Sequence, residues 1–167
     1  IGVSGSYSGA NLTPKPHAEV EPVDDPYFAL PVPDSGACID AENKLSQAEV
    51  ELQPGTYCGG INISPQSKIT MAPGIYIMKD GPLRIGAGSS LQGSEVLIAL
   101  VGENSILDVS ANSSIKLTSP KSGVYANIQF MSDRVADGKF KGEEWTTISS
   151  SEFEIDGVMY LPEHDIW

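Results

Sequence analysis

The chain has 167 residues, 40% of them hydrophobic, with 17 Gly, 12 Pro and a net charge of −12. That length allows one domain with a core of its own, and the Gly and Pro content marks a turn-rich, helix-poor chain. The negative balance argues against nucleic acid, which is bound through clustered Lys and Arg, and against adhesion to anionic lipid.

The charge is unevenly spread. Residues 1–50 set two cations against eight carboxylates, residues 51–132 balance five against five, and residues 133–167 set three against nine. A neutral body therefore lies between two flanks of −6 each, which favour solubility. No apolar run reaches the roughly 18 residues of a membrane span, and no signal peptide is evident, so no membrane insertion is expected of this stretch. The first residues, Ile1-Gly2-Val3, lack a Met, and an upstream segment is expected to precede them.

Residues 1–36 read as an extended arm or cap. Ile1 to Ala10 is rich in Gly and Ser, and Pro14, Pro16, Pro22, Pro26, Pro31 and Pro33 come too often for a helix or a central strand. Such a segment is a linker or a polyproline-like strap across the domain. Tyr27-Phe28-Ala29-Leu30 is the apolar cluster that would anchor a strap or cap a first coil.

Residues 37–167 are expected to form the main domain, because a phrase returns within them. Pro54-Gly55-Thr56-Tyr57 reappears 19 residues later as Pro73-Gly74-Ile75-Tyr76, each after a strand-like triplet, Val50-Glu51-Leu52 and Ile69-Thr70-Met71. Related phrases follow at Leu91, at Ile115-Lys116-Leu117 and at Phe153-Glu154-Ile155. Self-similarity at this period points to a solenoid, in which each coil covers its predecessor. Between Ala48 and Phe130 short stretches alternate at period 2, as in Ile61-Asn62-Ile63 and Leu83-Arg84-Ile85, while Val96 to Val101 is apolar throughout and suits a strand covered on both faces. The expected fold is all-β, a right-handed parallel β-helix beginning near Ala48. A β-sandwich is the alternative. The expected interior comprises Leu52, Ile61, Ile63, Ile69, Met71, Ile75, Ile77, Leu83, Ile85, Ile98, Val109, Ile115, Leu117, Ile128, Phe130 and Ile155. Residues 133–150 interrupt the rhythm as a polar insertion, and the end at Trp167, just after a strand, reads as a truncation.

Cys38 and Cys58 lie 20 residues apart with no ligands nearby to complete a zinc site. A disulfide between them would tie the arm to the first coil and imply an oxidising compartment, with two buried thiols as the alternative.

Solenoids of this shape often act on polysaccharides, which makes the acidic groups candidates for chemistry. The body holds five scattered carboxylates with no Asp-x-Asp, and Lys79-Asp80 with Arg84 reads as a charged turn. Glu152, Glu154 and Asp156 share one face of a strand, but the loop carbonyls of a calcium site are missing around them. His17 and His164 are far apart in sequence, and no Gly-x-Ser-x-Gly turn presents a nucleophile. The expectation is no catalytic residue, no metal and no cofactor. Arg134, Phe140 and Trp145 concentrate in the insertion the residue types that anchor interfaces, and are the candidate partner-binding residues.

Taken together, Asp25-Pro26-Tyr27-Phe28-Ala29-Leu30-Pro31-Val32-Pro33, Cys38, the paired Pro-Gly-x-Tyr phrases and Ser119-Pro120-Lys121-Ser122-Gly123-Val124-Tyr125 resemble the TadG-like proteins of Tad (Flp) pilus-assembly systems. Gly157-Val158-Met159-Tyr160-Leu161-Pro162 carries the likeness on, so that it covers residues 24–164. Asn127 stands where the family more often has Gly. The resemblance implies a bacterial envelope protein, periplasmic or extracytoplasmic, anchored at its amino terminus. It implies a non-enzymatic structural or adaptor part in adhesion-pilus biogenesis, with other proteins of the pilus-assembly machinery as partners. A carbohydrate-binding or polysaccharide-degrading β-helix and a polymer-forming scaffold are the alternatives.

Overall fold

The computed structural model describes residues 21, 24–39, 44–45, 49–134, 145–150, 152–162 and 164–166. Among them every regular element is a strand, and no helix is long and apolar enough to cross a membrane. In chain order the strands are β1 (Lys44–Leu45), β2 (Glu49–Leu52), β3 (Gly55–Cys58), β4 (Ile61–Ile63), β5 (Lys68–Met71), β6 (Gly74–Lys79), β7 (Leu83–Ile85) and β8 (Ser90–Gly93). They continue as β9 (Val96–Val101), β10 (Leu107–Val109), β11 (Ser114–Thr118), β12 (Ile128–Ser132), β13 (Trp145–Ile148), β14 (Glu152–Asp156), β15 (Val158–Tyr160) and β16 (Asp165–Ile166).

Each strand pairs in parallel with the strands three places before and after it, and this makes three sheets. The first runs β1-β4-β7-β10-β13-β16, the second β2-β5-β8-β11-β14 and the third β3-β6-β9-β12-β15. Stacked parallel strands of this kind are compatible with a β-solenoid. The sequence repeat is the coil. Val50, Ile69, Leu91, Ile115 and Phe153 are consecutive register partners across the second sheet, as the returning phrases predict. Residues 145–148, within the stretch expected as an insertion, form β13 and continue the first sheet beside β10.

The Pro-Gly-x-Tyr phrase is a corner between the second and third sheets. Gly55 and Gly74 sit at φ +149° and +143°, where a side chain is strained, and the Pro54 ring lies against Gly74 of the next coil. The tyrosine then turns inward. Tyr57 Oη donates to Gln53 O at 2.6 Å, and the single Tyr76 Oη proton is shared between Ala72 O and Leu52 O, each at 2.8 Å. The two rings stack with centroids 6.2 Å apart. A long side chain can therefore fill the corner without leaving its hydroxyl unpaired. Burial pushes the Tyr76 hydroxyl well above the usual tyrosine range, and the neighbouring Tyr57 adds to the shift.

This corner decides which face of β6 is inside, and it corrects the expected interior. Tyr76 and Met78 point into the coil, while Ile75 and Ile77 belong to a second apolar cluster outside it. Ile128 lies in that outer cluster too, whereas Leu91, Val96, Leu100 and Leu107 line the interior. Strands that are apolar on both sides carry no alternation from which parity can be read. The other expected residues hold their places, with Leu52, Ile61, Ile63, Ile69, Met71, Leu83, Ile85, Ile98, Val109, Ile115, Leu117 and Phe130 buried and Ile155 partly covered. Asn127 adopts φ +64°, the left-handed conformation that Asn tolerates better than most residues and that Gly takes freely.

The first coil is covered on one edge. Cys38 bridges to Thr56 in parallel, Ile39 N donates to Thr56 O at 2.8 Å, and Ile39 packs against Gly55. Cys38 and Cys58 form a disulfide, with Cα atoms 5.6 Å apart. The bond is compatible with an oxidising, extracytoplasmic location.

Candidate functional site

The outward face of the third sheet is apolar, and the amino-terminal arm lies on it. Ile77, Leu97, Ala99, Ile128 and Met131 form a buried cluster outside the coil, flanked by Ile75, Val101, Val158 and Tyr160. Tyr27 and Leu30 from the arm and Tyr125 from the 120–127 turn pack over it. The continuous hydrophobicity of Val96–Val101 thus has its explanation, since β9 is covered on both faces. Between the arm and Tyr125 a cleft of about 370 Å³ opens onto Ile75 and Ile77, with Pro33, Gly36 and Thr56 on its other wall.

Arg134 holds the arm down from just beyond β12. Its Nη1 donates to Phe28 O at 2.6 Å, and its Nη2 donates to Tyr27 O at 2.8 Å and reaches Asp25 Oδ2 at 3.2 Å and the Tyr160 hydroxyl. The Tyr160 hydroxyl donates in turn to Asp25 Oδ2 at 2.5 Å. The guanidinium also lies 4.5 Å from the Phe28 ring centroid and 5.3 Å from that of Tyr160. A planar fork of donors suits this set of two carbonyls, a carboxylate and two rings, where a lysine would satisfy only part of it. The Tyr160 hydrogen bond, the Tyr27 backbone N–H and the Arg134 charge together hold the Asp25 carboxyl below the usual carboxylate range. Burial, with the hydrogen bond to Asp25, pushes the Tyr160 hydroxyl up.

Of the three residues singled out for partner binding, Arg134 is thus engaged with the arm. The Trp145 backbone lies in β13, and its side chain and Phe140 fall outside the described residues. Sequence reasoning missed Asp25 and Tyr160 as partners of Arg134, because residues 109 and 26 positions away leave no local signal. The aromatic cluster at 27–30 was legible as an anchor, and Tyr27 and Leu30 serve as one. Phe28 remains 73% exposed beneath the guanidinium, and Val32 and Val124 are also exposed.

A second concavity lies over the second sheet. An open groove of about 700 Å³ runs across the outward column Glu51, Thr70, Gln92, Lys116 and Glu154, whose members are register partners on five successive strands. Lys116 Nζ lies 2.9 Å from Glu152 and 3.8 Å from Glu154, which raises the lysine and, with the Ser114 hydroxyl, lowers Glu152. Among the described residues no cluster of His, Cys, Asp and Glu is arranged to hold a metal ion. No protein-family model, curated protein or solved structure matches the chain.

Proposed function

We propose that this chain is a non-enzymatic extracytoplasmic structural or adaptor domain of a Tad (Flp)-type pilus-assembly apparatus, acting in adhesion-pilus biogenesis in the bacterial envelope. Its stacked sheets are then a right-handed parallel β-helix, the hand that parallel crossovers take in nearly all proteins. The pilus assignment rests on the phrases shared with TadG-like proteins, and the compartment on the Cys38–Cys58 disulfide. One observation carries the adaptor role. A disulfide at Cys58 and the Arg134 cluster together hold the arm on an apolar sheet face, so this face is built to pack against a length of polypeptide. The partners are other proteins of the pilus machinery, and the full-length protein reaches them from an amino-terminal membrane anchor.

The test is affinity capture of the full-length anchored protein from envelopes, paired with piliation of a strain lacking it. Recovery of pilus-assembly proteins and loss of pili are the expected results. Normal piliation together with capture of no pilus component sinks the reading.

The groove over Glu51, Thr70, Gln92, Lys116 and Glu154 favours carbohydrate binding as a second reading, since a ladder of hydrogen-bonding side chains can follow an extended sugar chain. A glycan-binding and depolymerisation screen separates the two, because the adaptor reading expects neither activity.

A further inference from the structure

The arm runs along the stack of coils. Tyr27 packs on the Tyr160 ring of β15 with centroids 5.3 Å apart, and Gly36 N donates to Thr56 Oγ1 on β3 at 3.1 Å, beside the Cys38–Thr56 bridge. On β9 and β12 the outward residues Leu97, Ala99, Ile128 and Met131 are buried. Ile75 on β6 is only half-buried, and there the cleft between the arm and Tyr125 opens.

Apolar exposure gathers round this cleft. Among the described residues the exposed large hydrophobic side chains are Phe28, Val32 and Val124, and all three belong to the two segments laid over this sheet face. Val32 adjoins Pro33 on one wall of the cleft, and Val124 adjoins Tyr125 on the other. Apolar side chains scattered singly over a surface need no explanation, but a group beside an apolar cleft marks a contact surface.

The charge round the cleft has one sign. The described part of the arm carries Glu21, Asp24, Asp25 and Asp34 and no Lys or Arg. Among the described residues only Asp25 of these four is ion-paired, with Arg134. Asp34 lines the cleft, and its charge adds to the burial that pushes the Tyr125 hydroxyl up. No cation lines the cleft, and Lys121, three residues before Val124, is paired with Asp156.

We propose that this cleft is the docking site for a basic, apolar segment of a partner protein. One bulky apolar side chain of that segment seats on Ile75 and Ile77 between Pro33 and Tyr125, and a Lys or Arg beside it pairs with Asp34. A helix, about 10–12 Å across with its side chains, is too thick for a space of about 370 Å³, so the segment enters by a side chain. Anionic lipid is disfavoured by the carboxylates. A second copy meeting this face with its own would set carboxylate against carboxylate. The inference deepens the adaptor reading by naming its contact surface. It does not depend on the pilus assignment, which piliation tests separately.

The test is selection from a phage-displayed library of random heptapeptides on the intact, disulfide-bonded chain. Enriched peptides are expected to place Leu, Phe or Trp next to Lys or Arg. A fluorescent synthetic copy of the leading peptide should slow amide hydrogen exchange in β6 and in residues 123–127, and bind more weakly as salt rises. Its affinity should fall about fivefold in Asp34→Asn, on the scale of one exposed charge pair. A similar fall is expected in Val124→Ser, where part of an apolar contact is lost. Both side chains are exposed, so both variants should fold. Enrichment of acidic or uncharged peptides, or of none, overturns the proposal. Protection elsewhere in the chain, or unchanged affinity in either variant, does the same. So does concentration-dependent dimerisation that Val124→Ser abolishes, which would make a second copy the occupant.

Discussion

Pro54 and Gly74, on adjacent coils, are in direct contact, and a Cβ on Gly74 would come within 2.6 Å of the Pro54 Cβ. The glycine also sits at φ +143°. Gly74→Ala therefore meets both strain and a clash, with a cost of about 1–3 kcal/mol for the backbone alone. Gly36→Ala is the control, since nothing lies within 4 Å of the added atom there. Urea denaturation of the two variants should show the loss at Gly74 only. Equal midpoints would mean that the corner relaxes freely.

Tyr76→Phe removes the hydroxyl proton shared by Leu52 O and Ala72 O, and of the two only Leu52 O keeps a backbone donor among the described residues, the Ala72 N–H. The expected loss is about 1–3 kcal/mol in equilibrium unfolding. Tyr57→Phe should lose less, because its hydroxyl serves Gln53 O alone and in a partly exposed place.

Arg134→Met should free the arm while leaving the coils intact. Cleavage by chymotrypsin at Tyr27 and Phe28 is expected to accelerate, binding of a hydrophobic dye to rise, and the far-ultraviolet circular dichroism to stay unchanged. The stability loss is about 1–3 kcal/mol, on the scale of hydrogen bonds to a charged group. Arg134→Lys should recover little of it, as one ammonium cannot reach two carbonyls and Asp25 while lying over two rings.

Much of this architecture was legible because a solenoid writes its period into the chain. The anchors Val50, Ile69, Leu91, Ile115 and Phe153 can be found by eye and prove to be stacked. Inside and outside were harder to tell apart. Ile75 and Ile77 look like core by hydrophobicity, yet Tyr76 and Met78 take the interior, because the arm makes the outer face apolar too. The tyrosines of the two Pro-Gly-x-Tyr phrases both take the inward side, so the repeated phrase itself marks the parity. The Arg134 cluster was not legible, since it depends on where residues 25–30 come to rest.

His164 is largely buried, with its Nδ1 3.1 Å from the Thr146 hydroxyl, and burial holds its pKa below the ordinary 6.5, partly offset by Asp133. The unfolded chain then takes up a proton that the folded chain resists. The stabilising contribution is full above pH 6.5 and is lost as pH falls through the depressed folded value. Thermal midpoints at pH 7.5 and 5.5 should drop more in the wild type than in His164→Gln. Identical slopes would assign the drop to other groups. Asp25 and Glu152, whose carboxyls are lowered, stay fully stabilising across this window and lose that contribution only at more acid pH.

The disulfide has a kinetic meaning as well. Cys38 ties the arm directly to β3 of the sheet it covers, so an arm detached at Arg134 is still anchored a short stretch of chain away. Short flexible connections hold their ends at effective concentrations of about the millimolar range. The released arm is therefore a built-in competitor for its own docking face, and any other ligand of that face must outbid it. With the bond reduced, the path from arm to sheet runs on through residues 39–55, and the competition weakens. Redox state would then tune access to the face without altering a single residue of it.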